Sequence, residues 1–234
     1  MAEYFLILLS VFLSIGVASW LLLPGPWSRI LLWAGRKASG LHSNEVIVGG
    51  LNWHYLSGGQ GTSLVAIHGF GADADHWQRV APLLSSRFEI TAPDLIGFGD
   101  SHPGDSLPFA IDDQVDRLAA LLDHLKVDSC VMAGSSMGGW IASRFAQRFP
   151  EKVKGLWLLA PLGVRDCERG ELLNRISTDR ESPLSIGSVS DFERLVYRPM
   201  FARPPHLPRP LRMHYGQRAV RRSRASQRMF NQVY

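Results

Sequence analysis

Ser136 stands in the run Cys130-Val131-Met132-Ala133-Gly134-Ser135-Ser136-Met137-Gly138-Gly139, where an apolar, strand-like stretch leads into Gly-x-Ser-x-Gly and then into a helical pattern. A serine at the tip of a sharp strand-to-helix turn has its hydroxyl lifted above a sheet, free to attack a carbonyl carbon. Gly134 and Gly138 fit that reading because side chains there would collide with the neighbouring strand and helix. The helix that follows points its N-terminus at the same place and offers the Met137 backbone N–H to a developing oxyanion. Acyl transfer needs a second donor. His68-Gly69-Phe70-Gly71, at the end of another apolar run, supplies one in the Phe70 N–H. Alone, the pentapeptide is also compatible with a plain Gly/Ser turn; the strand-turn-helix setting is what favours a nucleophile.

The elements that must hold these residues follow from hydrophobic period. Glu45 to Val48 and Leu51 to Leu56 alternate around Gly49-Gly50 and read as a hairpin, and Ser57 to Gly61 as a turn cluster. Strands are expected at 63–67, 88–92, 129–133 and 153–159, with helices at 75–85, 111–125 and 137–149. Strands alternating with helices of that length predict an α/β fold with a parallel, doubly wound sheet. Beyond Pro161 the pattern changes to helical pieces broken by Pro183, Pro199, Pro204, Pro205, Pro208 and Pro210. The expected organisation is a membrane anchor and interfacial segment over 1–40, an α/β core over 41–161 and a helical cap over 162–234.

Tyr4 to Leu23 contains twenty residues without a charge, which as a helix spans about 30 Å, one hydrocarbon core. An uncleaved anchor is preferred to a cleaved signal peptide, because no basic stretch precedes the apolar run. Pro24, Gly25 and Pro26 end the expected helix, and Trp27, Arg29, Trp33, Arg36 and Lys37 follow with headgroup-level chemistry. The basic flank after the span places the globular part on the cytoplasmic side.

Charge and cysteine usage narrow the remaining classes. The net charge of +4 is concentrated at one end: from Phe201 to Tyr234 there are eight arginines and no acid. With few aromatics between them, these read as a cap face near anionic lipid headgroups rather than a nucleic-acid surface, and no nucleic-acid partner is expected. Cys130 and Cys167 have neither disulfide-framework nor zinc-ligand spacing. No Walker loop, GxGxxG or HExxH occurs, so neither a cofactor nor a metal is expected. Asp94 is read either as part of a pocket-side loop or as a turn-capping acid, and Asp112 and Asp113 as helix-start residues.

Three segments, HGFGADADHW at 68–77, APDLIGFGDS at 92–101 and AGSSMGGWIASRFAQRFPEKVKGLWLLAPLGV at 133–164, resemble the α/β-hydrolase superfamily, in particular its lipase and monoacylglycerol lipase-like members. The resemblance covers residues from about 45 to 165. It implies a serine ester hydrolase of lipid or other ester substrates, with Ser136 as nucleophile, Phe70 and Met137 as oxyanion donors, and His68, Gly69, Gly134 and Gly138 shaping the site loops. It also implies a membrane-anchored protein with a helical cap over the site. In this family the triad acid and histidine follow the serine, each after a later core strand. His68 is therefore expected to fix a loop rather than act as base. Neither segment is recognisable here: the acids after Ser136 lie in or before the expected cap, and the later histidines are His206 and His214. The C-terminal strands are thus expected to be missing from the 234 residues, which would be inactive as they stand. Open alternatives are a truncated or non-catalytic lipid-binding pseudoenzyme, and a serine-dependent C–C hydrolase or perhydrolase.

Overall fold

The computed structural model describes residues 1–101, 107–164 and 186–233. Cys167 and the cap acids Asp166, Glu168, Glu171, Asp179 and Glu181 lie outside the described residues. The chain divides into two compact units, Ala34–Glu168 with Ala225–Tyr234, and Met1–Trp33 with Arg169–Arg224.

The first unit is built on a six-stranded sheet of order β1-β2-β4-β3-β5-β6. Strands β1 (His42–Val48) and β2 (Leu51–Gly59) form the expected hairpin. Its turn takes positive φ at both central residues, 58° at Gly49 and 76° at Gly50, which glycine adopts without steric penalty. β2 does not stop at Leu56, because its other edge pairs antiparallel with β4 (Phe88–Pro93) as far as Gly59↔Glu89, and this ladder keeps 57–59 in the sheet. From β4 onward the sheet is parallel: β3 (Thr62–Ile67) lies between β4 and β5 (Cys130–Ser135), and β6 (Val153–Leu159) follows β5. The sheet is therefore mixed and mostly parallel, as the alternation of strands and helices predicted.

Both faces of the sheet are covered. β3 shows this residue by residue: Val65 and Ile67 enter one apolar cluster, while Leu64 and Ala66 enter the other. The first cluster is closed by α4 (Ile111–His124) and α5 (Met137–Arg148), through Val115, Leu118, Leu122, Ile141 and Phe145. Those α4 positions keep the helical spacing, and each buried side chain contributes about 1.5–3 kcal/mol. The second cluster is closed by Leu41 and Trp77. The single helix expected over 75–85 is instead split into a 3₁₀ turn, Ala74–Trp77, and a short α3, Ala81–Leu84. Asp73 caps the turn through the Asp75 N–H (3.1 Å), and Pro82 opens a new first turn, where its missing N–H leaves no bond unmade.

The second unit contains the apolar helix α1 (Ala2–Leu22), most of α2 (Pro24–Ala38) and the first part of α6 (Arg209–Val233). Tyr4–Leu22 is long and apolar enough to cross a membrane, and none of it is buried. α1 ends at Leu22, just ahead of Pro24 as expected, and Pro24 then starts α2. Trp20 meets Trp27 edge-on at 5.3 Å, and the Trp27 indole N–H donates to Ser19 Oγ at 3.2 Å. A short helical segment, Val189–Asp191 running into a π-helical Phe192–Tyr197, precedes α6.

Candidate active site

β5 delivers Ser136 into a conformation that side-chain-bearing residues rarely adopt, φ +54° and ψ −119°, and α5 starts at the next residue. Such a backbone costs of order 1–3 kcal/mol and persists only where the surroundings determine it. Here the constraint is explicit. The Ser136 N–H donates to the Leu159 carbonyl (3.0 Å), and its own carbonyl accepts from Gly139 (2.9 Å), Trp140 (3.3 Å) and Leu162 (3.0 Å). The two flanking glycines are required by contact: a methyl at Gly134 would drive into the Gly138 carbonyl, and one at Gly138 into the carbonyl oxygens of Ile67 and His68. The side chain of Ser136 is left half-buried at the mouth of the turn.

The His68–Gly71 segment runs beside this turn, since a methyl on Gly69 would lie 3.2 Å from Ser136 Cβ. The Phe70 N–H donates to no acceptor among the described residues, and the Met137 N–H is the first of α5, with no intrahelical acceptor. Two backbone donors are thus uncommitted on the two segments that flank Ser136. The Phe70 ring sits edge-on to Phe98 at 5.3 Å and to Phe230 at 5.8 Å. His68 is wholly buried. Its Nδ1 faces the Gly69 carbonyl at 2.7 Å and its Nε2 accepts the Leu95 N–H at 3.0 Å. Those partners fix a neutral imidazole with its proton on Nδ1, and leave neither nitrogen for Ser136. His206 is exposed, and His214 lies edge-on to Tyr215 at 5.2 Å in α6.

Asp94 ends β4 and is buried. One oxygen accepts from the Ala74 N–H (2.6 Å); the other accepts from the Asp100 N–H (2.6 Å) and faces His54 Nδ1 (2.8 Å). His54 Nε2 meets Ser43 Oγ at 2.7 Å. Burial alone would raise the Asp94 pKa, but the hydrogen bond and charge of His54, ahead of the Asp100 N–H, outweigh it and hold the carboxyl at about 2. Burial likewise pulls His54 down, and the Asp94 hydrogen bond and charge more than reverse it, so His54 is raised. Gly99, at φ +54°, leaves the space that this carboxylate fills. His54, Asp94 and Asp100 place possible ligand atoms within 4.8 Å of one another. Both Asp94 oxygens and both His54 nitrogens already have partners, so the group fits a strut better than a metal site. Although Ser43, His54 and Asp94 follow one another like a nucleophilic relay, the carboxylate is occupied by two backbone amides and holds the 94–101 loop to the 3₁₀ turn.

Of the residues expected at the site, Ser136, Gly69, Gly134 and Gly138 are brought together around one turn, with Met137 opening the helix behind it. The sequence reading missed His54. No local signal marks it: its burial beside Trp53 in β2 and its partner Asp94, 40 residues away, exist only in the folded sheet.

A family model for the alpha/beta hydrolase fold matches residues 62–202. Lipase 1 of Psychrobacter immobilis is 31% identical over 174 residues, 74% of this chain and 54% of the relative. Monoacylglycerol lipase ABHD6 of Homo sapiens is 28% identical over 165 residues, 68% of this chain and 49% of the relative. The chain thus spans about half the length of the curated relatives it matches. A solved structure of a membrane phospholipase A, described as a bacterial virulence factor, superposes with a TM-score of 0.84 at 34% identity, covering 98% of this chain and 74% of that one.

Proposed function

This chain belongs to the alpha/beta hydrolase fold family, and on that premise we propose that it is a serine hydrolase of carboxylic esters, acting on acylglycerols or related membrane lipids. The observation that carries the reading is the strained turn at Ser136 between two uncommitted backbone donors. Ser136 Oγ attacks the ester carbonyl carbon, and the Phe70 and Met137 N–H groups hold the oxygen as it becomes negative. One such donor is worth about 10²–10³ in rate. Gly69, Gly134 and Gly138 keep side chains out of the space these groups need.

His68 keeps the Phe70 loop in place and is not the base, since both its nitrogens are engaged. With no base assigned to Ser136 among the described residues, the proposal for these 234 residues by themselves is ester hydrolysis only at the residual level that oxyanion donors and binding provide, about 10³–10⁴ over water. Lipid relatives and the apolar α1 support a membrane-bound ester substrate. The basic residues that follow α1 support a single-pass anchor with the catalytic unit on the cytoplasmic side. Serine-dependent C–C bond hydrolysis or perhydrolysis would use the same turn, and a non-catalytic lipid binder would keep the fold without turnover.

The test is fluorophosphonate labelling of the native protein in its membrane, followed by peptide mapping. Ser136 carries the adduct and Ser136→Ala abolishes it; an adduct on another residue, or none, overturns the assignment. A panel of monoacylglycerols, short-chain esters and C–C cleavage substrates then separates the chemistries.

A further inference from the structure

Between Ile186 and Arg224 the chain has nine arginines and two acids, Asp191 and Glu193. Both acids are already engaged, Asp191 with Arg194 at 3.4 Å and Glu193 with Arg212 at 3.5 Å. α6 contains no acid over its 25 residues. Arg221 and Arg224, three positions apart and so on one face, are both exposed, with no ion pair among the described residues. Like charges at helical spacing repel, so this face is held against its own electrostatics until something anionic neutralises it.

The start of α6 is tied to the end of the apolar helix. Arg209, its first residue, donates from Nη1 to the Leu21 carbonyl in the last turn of α1. That same end carries the Trp20–Trp27 pair and the Trp27–Ser19 hydrogen bond. Amphipathic aromatic residues at the end of an apolar span settle at the lipid headgroups. With α1 in a bilayer, α6 therefore begins at headgroup depth.

We propose that α6 is a dock for anionic lipid headgroups, its arginines binding lipid phosphates of the leaflet from which α1 emerges. A guanidinium fork matches phosphate oxygens in pairs, and the negative surface of an anionic leaflet falls off within roughly a Debye length, about 8 Å. A nucleic acid would satisfy the charge but finds few stacking rings here, Tyr215 and Phe230 being the aromatics of α6. The dock is independent of the chemistry at Ser136.

The test reconstitutes the full chain, through α1, into phosphatidylcholine vesicles with or without phosphatidylglycerol, and follows trypsin cleavage after Arg218 and Arg228 by mass spectrometry. Each basic group near an anionic surface shifts the docked equilibrium roughly five-fold. Cleavage slows by tenfold or more, on the order of several such groups, when phosphatidylglycerol is present; high salt restores it. The double variant Arg221→Gln/Arg224→Gln loses roughly 25-fold of the docking constant and is cut faster at the same two bonds. Equal rates in the two vesicle types, whether fast or slow, overturn the proposal. So does equal protection in phosphatidylcholine vesicles by inorganic phosphate or by a DNA duplex, which would reassign the face to a free anion or to a nucleic acid.

Discussion

Replacing Asp94 by asparagine will reveal a stability contribution confined to a defined pH window. Asp94→Asn keeps an oxygen for the Ala74 N–H but turns an NH2 group toward both the Asp100 N–H and His54 Nδ1, so the Asp100 bond is lost and the His54 bond survives only with that ring nitrogen as acceptor. In the folded protein the carboxyl is held at about 2 against an ordinary 3.8. At 1.36 kcal/mol for each tenfold difference, that gap corresponds to roughly 2.5 kcal/mol. Because the folded value is depressed, this contribution is complete above about pH 4 and is lost as the pH falls through about 2. His54 is raised, so its share is complete below its ordinary 6.5 and is lost as the pH rises through the raised value. The wild-type advantage over Asp94→Asn is therefore greatest between about pH 4 and 6.5 and declines on both sides. Thermal unfolding in detergent micelles measures it: for a protein of this size the gap in Tm near pH 5.5 is about 5–10 °C. A gap that is flat with pH, or largest at pH 9, would refute the account of the pair.

Gly138→Ala drives a methyl into two carbonyl oxygens and is expected to destabilise the core unit by about 1–3 kcal/mol, read as a lower Tm with the helix otherwise intact. Burial pushes the Cys130 thiol up to about 11. In a Cys167→Ser background it should therefore resist a thiol reagent at pH 8 and react only on unfolding, and fast labelling of the folded protein would contradict its placement. On the proposed topology, protease added to right-side-out vesicles should leave the core unit intact, while inverted vesicles expose it; digestion in the first case reverses that proposal.

Much of this molecule could be read from residue order because local and tertiary preferences agree. The helical period of α4 buries the face its spacing predicts, and the Gly49-Gly50 turn and the strand-turn-helix at Ser136 form where their residues predict. The reading failed where a partner distant in sequence decides the outcome. β2 is prolonged by β4, some thirty residues on, and no local signal announces that pairing. Arg36, expected among lipid headgroups, instead forms a paired bond with Asp75 at 2.7 and 2.9 Å, 39 residues away. His54 was passed over for the same reason: its role exists only once Asp94 is beside it. The glycines at 134 and 138 were legible because backbone crowding at a strand-to-helix turn is a local fact.

The four backbone bonds that hold Ser136 also set when its shape can exist. Two of them come from Leu159 and Leu162, 23 and 26 residues further along the chain. At 5–20 residues per second, a ribosome adds the second of these roughly 1–5 s after Ser136. Until then β6 has not aligned beside β5, and only the local bonds from Gly139 and Trp140 oppose relaxation of the serine to an ordinary φ. The apolar α1 has been made long before that moment. The nascent chain thus has its apolar helix complete before it acquires a shaped serine.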